Sequence, residues 1–577
     1  MRPPEPEPAA ATAISLLLAP LSVGDIVLPN RVVMAPMTTR YAAPDGSVTE
    51  QVIRHYEARA RGGVGLVMVE LASPVASGAH RRRELGVHDD RFIPGLRRLT
   101  DRIHAHGAVC GIQIGHAGAH ARPDVTGAVA VAPSDVAHVV RERDQRRVEP
   151  RPLDVGEIEE LVDAHAACVE RCRRAGFDIV ELQAGHDYLL AQFLSPLDNL
   201  RTDAYGGSLD SRARFLLEII DACRERAGGA LSVRLSADEF APGGTTLEDS
   251  KVLAQMLEVA GVDLVDVSAG SARSRPIPWL ITTPMAYPAG LFVPLAKEIK
   301  EAVGVPVAVA GRLHDPSAAE AVVRDGCADL VVLGRALLAD ALWAHWVRAG
   351  RPRRIRPCIA CNTCVDHLRS GREVRCLVNP ETGMESPAPR PARNGSAVVV
   401  GGGPAGMTAA ATLAEGGLEV VLLERVDRLG GRLRAIPLAP RFQVVETAPE
   451  PFERLVRFLR DELDRTGVQV RTGRRAPFRE VVSLHPRAVV VATGARYPLP
   501  GLLHLLKLGP ARRLAAAPRL HKLFFRLLRQ RHDRLPQRLR GAGIDVVVVV
   551  GDRSGTRGVE AAIHGAHRQA CELLERS

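Results

Sequence analysis

VPVAVAGRLHDPSAAEAVVRDGCADLVVLGR, Val305 to Arg335, contains two short apolar runs, each closed by Gly-Arg and separated by one amphipathic stretch. A run that is apolar at both parities reads as a strand buried on both faces, as in a parallel sheet covered by helices. Six more such runs lie upstream, at Arg31–Met37, Val64–Leu71, Ala108–His116, Phe177–Gly185, Leu231–Asp238 and Val262–Gly270. With the opening pair, Val305–Leu313 and Ala328–Arg335, they predict eight strands alternating with helices: a TIM (β/α)8 barrel of the α/β class. In that fold chemistry sits where the strands end. Gln113 and His116 close the third run. Gln183, His186 and Tyr188 follow the fourth, and Arg234 and Asp238 close the fifth. The pairs Gly311-Arg312 and Gly334-Arg335 occupy the phosphate position of such barrels, where glycine admits backbone N–H groups and arginine supplies charge. The alternative is that each Gly-Arg only starts a helix.

The 577-residue chain is too long for one core, and its 46% hydrophobic content suits a globular protein. No apolar run reaches the roughly 18 to 20 residues of a membrane span. The Pro/Glu/Ala-rich start, followed by a short apolar run at Ile14–Leu18, lacks a secretory pattern, so residues 1–13 read as a disordered tail on a cytoplasmic protein. The net charge of +10 comes mostly from arginines scattered among acids, without a basic stripe bearing aromatics, and no nucleic-acid partner is expected.

Six of the ten cysteines are dispersed, but Cys358, Cys361, Cys364 and Cys376 form C-x2-C-x2-C-x11-C within RPCIACNTCVDHLRSGREVRCLVNPETG. Four thiolates at this spacing suit a 4Fe-4S cluster, with a structural zinc held by the same four cysteines as the alternative. A one-electron cluster calls for a second centre, expected on the C-terminal side. There, after a Pro-rich linker at 386–395, comes SAVVVGGGPAGMTAAATLAEGGLEVVLLER: strand, G-x-G-x-x-G turn, helix, strand and acid. In this dinucleotide fingerprint Gly401, Gly403 and Gly406 bring a pyrophosphate to the helix N-terminus, and Glu424 meets the ribose.

AGFDIVELQAGHDYLLAQFLSPLDNLRTDAYGGSLDSRARFLLEII, Ala175 to Ile220, resembles the Old Yellow Enzyme family, as do NRVVMAPMTTRYA, VRLSADEF and GRLHDP. With the C-terminal motifs, the resemblance is to the long branch that includes 2,4-dienoyl-CoA reductase and trimethylamine dehydrogenase. It implies FMN contacts from Pro36, Met37, Thr38, Gln113, Arg234, Gly311, Arg312, Gly334 and Arg335. Thr38 stands where trimethylamine dehydrogenase has its flavin-linking cysteine, implying a non-covalent flavin. In reductases of the family the tyrosine matching Tyr188 protonates the substrate carbon, and donors matching Gln183 and His186 polarise the carbonyl. Gln183 replaces the commoner histidine. Asp187 replaces a small residue, and its carboxylate would either act on the Tyr188 phenol or face solvent.

CLVNP matches the family's cluster segment, and the cysteine spacing is closer to trimethylamine dehydrogenase than to the reductases. LGGR, ending at Arg432, VVVATGA, and a late motif containing Asp552 resemble the FAD-binding half of a two-dinucleotide reductase. Most of the second dinucleotide subdomain is missing. In its place a Leu/Arg-rich insert, Leu502–Arg540, carries KLFFRLLRQRHDRLPQRL, either a surface helix or a docking face for an acidic electron carrier or anionic membrane.

The expected division is a barrel over 14–350, a cluster segment over 351–385 and a truncated FAD- or ADP-binding Rossmann-like domain over 396–577. The expected function is reduction of an activated C=C bond in a small-molecule enone, enoyl or dienoyl thioester, with NAD(P)H as a donor. The alternatives are a dehydrogenase of an amine or secondary metabolite that feeds an external electron-transfer protein, and a non-enzymatic relay. For an amine, Trp279 and Tyr41 are the aromatics available for a cation bowl. A homo-oligomer is compatible with all three readings.

Overall fold

The computed structural model describes residues 16–139, 147–276, 280–385, 394–442, 445–494, 535–540, 544, 546–551 and 558–576. The expected N-terminal tail, Trp279, residues 386–393 of the linker, Asp552 and most of the Leu/Arg-rich insert lie outside the described residues.

All eight expected apolar runs contain a strand: β1 Val32–Met34, β2 Leu66–Ala72, β3 Val109–Ile114, β4 Ile179–Ala184, β5 Ala230–Ser236, β6 Leu264–Ser268, β7 Val307–Val309 and β8 Leu330–Leu333. They pair in parallel and in chain order, and β8 closes on β1 through Val331↔Val32 and Leu333↔Met34. Most of the runs continue past their strand into the loop that carries the polar residues, whereas β2 ends one residue beyond its run, at Ala72. Helices such as Val155–Arg174 cover the outside. That helix starts on a capping box in which Asp154 accepts from Glu157 N at 2.8 Å and Glu157 accepts from Asp154 N at 3.0 Å.

Side chains alternate between the barrel interior and the helix layer along each strand. Toward the strand N-termini the interior is apolar: Leu66, Met68, Ile179, Ala230, Leu264 and Leu330 pack with Val23 and Leu28 of the hairpin formed by Leu21–Val23 and Ile26–Leu28. The same parity two and four residues further on gives Glu70 on β2, Glu181 and Gln183 on β4, Ser232 and Arg234 on β5, and Asp266 and Ser268 on β6. The interior thus turns from hydrocarbon to hydrogen-bonding groups toward the C-terminal face.

The C-terminal part is a five-stranded parallel sheet, built from β9 Ser396–Val400, β10 Glu419–Leu423, β11 Gln469–Arg471, β12 Ala488–Val491 and β13 Val546–Val549 in the spatial order β11-β10-β9-β12-β13. The fingerprint helix, Pro404–Glu415, packs against the helix Val559–Arg576. Among the described residues this is the one dinucleotide-type sheet, and no helix there is long and apolar enough to cross a membrane.

Candidate active site

The polar layer inside the barrel is a closed set of contacts. Gln113 Nε2 donates to Glu181 Oε1 at 2.8 Å, Ser232 Oγ donates to Glu181 Oε2 at 3.1 Å, and Arg234 pairs with Asp266 at 3.0 Å. All five side chains are buried. Burial and the neighbouring Asp266 push Glu181 up to about 8, and burial also raises Asp266. One guanidinium thus faces two acids, of which Glu181 is held largely protonated near neutrality. Gln183 Oε1, Arg234 Nε and Asp266 Oδ1 are buried without a hydrogen-bond partner. Orphaned polar atoms at the mouth of a barrel call for a polar ligand, and a ring bearing donors and acceptors, such as that of FMN, fits them.

Above this layer β4 ends in a strained turn. His186 and Asp187 are consecutive non-glycine residues in the left-handed region, at φ 58° and 59°. The turn is pinned by His186 N donating to Ser236 Oγ at 3.0 Å and by Gln192 Nε2 donating to the Asp187 carbonyl at 2.6 Å. His186 Nε2 lies 2.7 Å from Ser268 Oγ, and its Nδ1 lies 3.5 Å from Gln183 Nε2. The helix Leu189–Leu194 begins immediately after Tyr188, whose half-buried ring packs beside Ala117, Ala121 and Ala130. Gln183, His186 and Tyr188 are therefore gathered at one strand end. Asp187 is 6% exposed and accepts from Ala272 N at 2.6 Å, so its carboxylate ties down the loop after β6 and does not face solvent.

The loop after β1 places Pro36, Met37 and Thr38 half-buried at the same mouth. Met37 packs so closely on Gly334 that a Cβ there would sit 3.0 Å from its sulfur. Gly311 adopts φ 139° and Arg312 φ 62°, a backbone cradle that glycine makes accessible. Both arginines lean on neighbouring carbonyl oxygens. Arg312 donates to Pro284 O at 2.9 Å and to Tyr287 O, and Arg335 donates to Thr283 O at 2.9 Å and to Asn362 Oδ1. Carbonyls of the 280s loop and the side-chain amide of Asn362 orient both guanidinium groups, while Arg312 Nε is buried without a hydrogen-bond partner. Burial and the adjacent Arg335 lower Arg312 to about 10.

Around the cysteines, Ala360 and Asn362 take left-handed φ values of 49° and 55°. Ala360 N donates to Cys358 Sγ at 3.4 Å, and Thr363 Oγ1 lies 3.1 Å from Cys361 Sγ. Burial pushes the Cys376 thiol far up, and Cys358, Cys364 and Cys361 add to the effect by their charge. The four cysteines thus lie near one another, Cys361 and Cys376 buried and Cys358 and Cys364 half-buried. Among the described residues no three ligating side chains form a single-ion site. Four sulfur donors suit a thiophilic group, either an iron–sulfur cluster or a four-coordinate zinc ion.

In the C-terminal sheet Gly401 has φ 116°, and a Cβ on it would sit 2.5 Å from Ala492 O. A Cβ on Gly406 would sit 1.8 Å from Gly401 O, whereas one on Gly403 would meet nothing within 4 Å. Two glycines are needed for packing and the middle one faces open space, as close approach of a pyrophosphate requires. Glu424 accepts from Gly402 N at 2.6 Å and from Val426 N at 3.0 Å, so its carboxylate also braces the turn. Arg432 lies half-buried in the short 3-10 turn Gly431–Arg434. Tyr41, one of the two aromatics for a cation bowl, is fully buried and donates to Val374 O at 2.7 Å.

The motif reading missed Glu181, Asp266, Ser268 and His80. The first two had a sequence signal: a lone acid in each of the apolar runs IVELQA and LVDVS, on the inward parity shared with Arg234. His80 had none, because only tertiary packing sets its ring edge-on to Tyr188, with centroids 5.5 Å apart.

A family model described as the NADH:flavin oxidoreductase / NADH oxidase family matches residues 16–354, and one described as an NAD(P)-binding Rossmann-like domain matches 399–456. The chain is 40% identical to an NADH oxidase of Thermoanaerobacter brockii over 482 residues, covering 82% of this chain and 72% of that one. It is 38% identical to an NADPH dehydrogenase of Geobacillus sp. over 332 residues, covering 57% of this chain and 93% of that one. The fold aligns with a 2-naphthoyl-CoA reductase at a TM-score of 0.87 and 24% identity, covering 97% of this chain and 99% of that one. The chain belongs to the NADH:flavin oxidoreductase / NADH oxidase family of FMN-dependent oxidoreductases, the Old Yellow Enzyme type, with a C-terminal dinucleotide-binding domain.

Proposed function

We propose that the enzyme reduces the C=C bond of an enone or of an enoyl or dienoyl thioester, with Tyr188 as the proton donor. The observation that supports this reading is that Gln183 and His186 meet at the end of β4, on the strand that carries Glu181 of the Gln113–Glu181–Arg234–Asp266 layer, with Tyr188 next but one in the chain. FMN, when bound, supplies the hydride. Pro36, Met37, Thr38, Gln113 and Arg234 would hold its ring, and Gly311, Arg312, Gly334 and Arg335 its phosphate, the glycines through backbone N–H groups and the arginines through their charge. Side-chain N–H groups of Gln183 and His186 donate to the substrate oxygen and stabilise the negative charge that grows on it. The Tyr188 hydroxyl then places a proton on the carbon next to the carbonyl, completing addition of hydride and proton across the double bond.

In the same reading Cys358, Cys361, Cys364 and Cys376 hold a 4Fe-4S cluster. Gly401, Gly403, Gly406, Glu424, Arg432 and Asp552 hold FAD or ADP, and NAD(P)H is the donor. Of the two aromatics that could form a cation bowl for an amine, Tyr41 is fully buried and donates to Val374 O, and Trp279 lies outside the described residues. The test is rapid mixing of pre-reduced enzyme with 2-cyclohexenone. Tyr188→Phe is expected to slow flavin reoxidation about 100-fold or more while reduction by NAD(P)H is unchanged. Full turnover by Tyr188→Phe would overturn the assignment.

A further inference from the structure

One buried amide joins the Gly-Arg cradle to the cysteines. Asn362 stands between Cys361 and Cys364 and is 1% exposed. Its backbone takes φ 55°, a left-handed value that asparagine tolerates better than most residues with a side chain. Both ends of the amide are committed: Nδ2 donates to Thr282 O at 2.8 Å, and Oδ1 accepts from Arg335 Nη1. Arg335 directly follows Gly334 just beyond β8, so a residue of the cysteine loop holds a guanidinium of the cradle.

Charge explains why this contact matters. Arg335 also donates to Thr283 O at 2.9 Å and to Thr282 O at 3.4 Å, and Arg312, just beyond β7, donates to Pro284 O at 2.9 Å and to Tyr287 O. All of these acceptors are neutral, and among the described residues neither guanidinium has an ion-pair partner. Neutral oxygens orient a guanidinium without cancelling its charge. The Arg335 charge acts on Arg312, and two half-buried cations that repel each other favour an anion at the cradle. Affinity for that anion depends on where the guanidinium planes are held. Arg312 hydrogen-bonds to the loop after β6, whereas Arg335 hydrogen-bonds to that loop and to Asn362, whose place is set by the turn between Cys361 and Cys364.

We propose that Asn362 is a positioning residue of the phosphate site and couples it to the cysteines: a thiophilic group bound there fixes the Cys361–Cys364 turn, the turn fixes Asn362, and Asn362 holds Arg335 in place for the phosphate. A flavin phosphate at the two Gly-Arg pairs and a metal at the four cysteines are the cofactor assignments made above, on which this coupling rests. Coupling between two binding sites is reciprocal, so a bound phosphate in turn steadies the cysteine turn. Riboflavin, which has the same ring and no phosphate, does not feel it.

The experiment strips flavin from the full-length holoenzyme, and strips one portion also of its cysteine-bound metal with a chelator under oxidising conditions. FMN and riboflavin are titrated into both forms of the parent, of Asn362→Ala and of Asn362→Asp, with binding read by flavin fluorescence and metal content by mass spectrometry, without turnover. In the parent, loss of the metal is expected to weaken FMN binding about tenfold or more and to leave riboflavin unchanged. Metal-loaded Asn362→Ala should already bind FMN about as weakly as the metal-stripped parent, and stripping it should change little. Asn362→Asp keeps the size of the side chain and pairs with Arg335, so its FMN affinity should fall while metal and riboflavin affinity are retained. That variant carries the test if Asn362→Ala does not fold. Parental FMN affinity in both variants, or a stripping effect of the same size in the parent and in Asn362→Ala, would overturn the coupling. So would a loss of riboflavin affinity equal to that of FMN on stripping. Equal affinity of the metal-loaded parent for FMN and riboflavin would instead remove the phosphate from the cradle, a failure of the cofactor assignment that shows in the unaltered chain and is thereby distinct from failure at Asn362.

Discussion

Glu181 shows how one inward position sets both the electrostatics of the barrel and its response to pH. Its ordinary value is 4.5 and burial lifts it to about 8, so between those limits the folded protein holds a proton that the unfolded chain releases. Stability is therefore full below the ordinary carboxylate range and falls as pH rises through about 8, by at most about 1.4 kcal/mol per pH unit for one proton. Glu181→Gln keeps the hydrogen-bonding shape and removes this slope. Thermal unfolding of the variant between pH 5.5 and 8 is expected to depend less on pH than that of the parent. Equal slopes would show that Glu181 is ionised in the fold. Some slope remains in the variant, because burial also raises Glu70 to about 7 and Glu84 to about 8. The acid itself was visible in the sequence as a break in an apolar run, but its state was not. That state depends on Asp266, 85 residues away in sequence, whose place beside Arg234 exists only once the barrel closes.

Strands and turns were more legible than the side chains they carry. Eight apolar runs predicted eight strands because a strand covered on both faces has no polar period to hide it. The Gly-Arg pairs were legible as a cradle, yet the arginine contacts were not, since Arg312 and Arg335 are captured by the 280s loop and by Asn362, far off in sequence. The glycine turn of the C-terminal sheet shows the same division. Its spacing announces the motif, while the structure assigns a separate job to each glycine. Gly406→Ala would drive a Cβ into the Gly401 carbonyl, and Gly403→Ala would meet no protein atom. We therefore expect Gly406→Ala to lower the melting temperature of the C-terminal domain and to lose bound dinucleotide with it. Gly403→Ala should melt like the parent and lose dinucleotide alone. Cofactor content after gel filtration, compared with the melting curve, separates the two, and retention of full dinucleotide by Gly403→Ala would remove the pyrophosphate from that face.

The cysteine segment is tied to the barrel more than to the sheet that follows it. Buried Arg59 pairs with half-buried Glu385 at 2.5 Å, Asn379 and Thr382 both donate to Leu338 O, and Val374 N donates to Thr39 O. Among the described residues the C-terminal domain meets the segment and the barrel through a separate set of polar contacts. His564 Nε2 lies 2.7 Å from Cys376 O, His367 pairs with Glu560 at 3.0 Å, and Arg354 faces Glu462 at 3.7 Å. We propose a functional division at Glu385, with the barrel and its cysteines as one redox unit. That division makes the need for the C-terminal domain in flavin reduction directly testable. A chain ending at Glu385 is expected to purify with FMN and iron, and NADPH should bleach its flavin anaerobically about as fast as in the full chain. If bleaching requires the full chain while dithionite reduces both, electrons enter through the C-terminal dinucleotide and cross the cluster, and the cysteine segment is then the conductor between two flavins rather than a store attached to one.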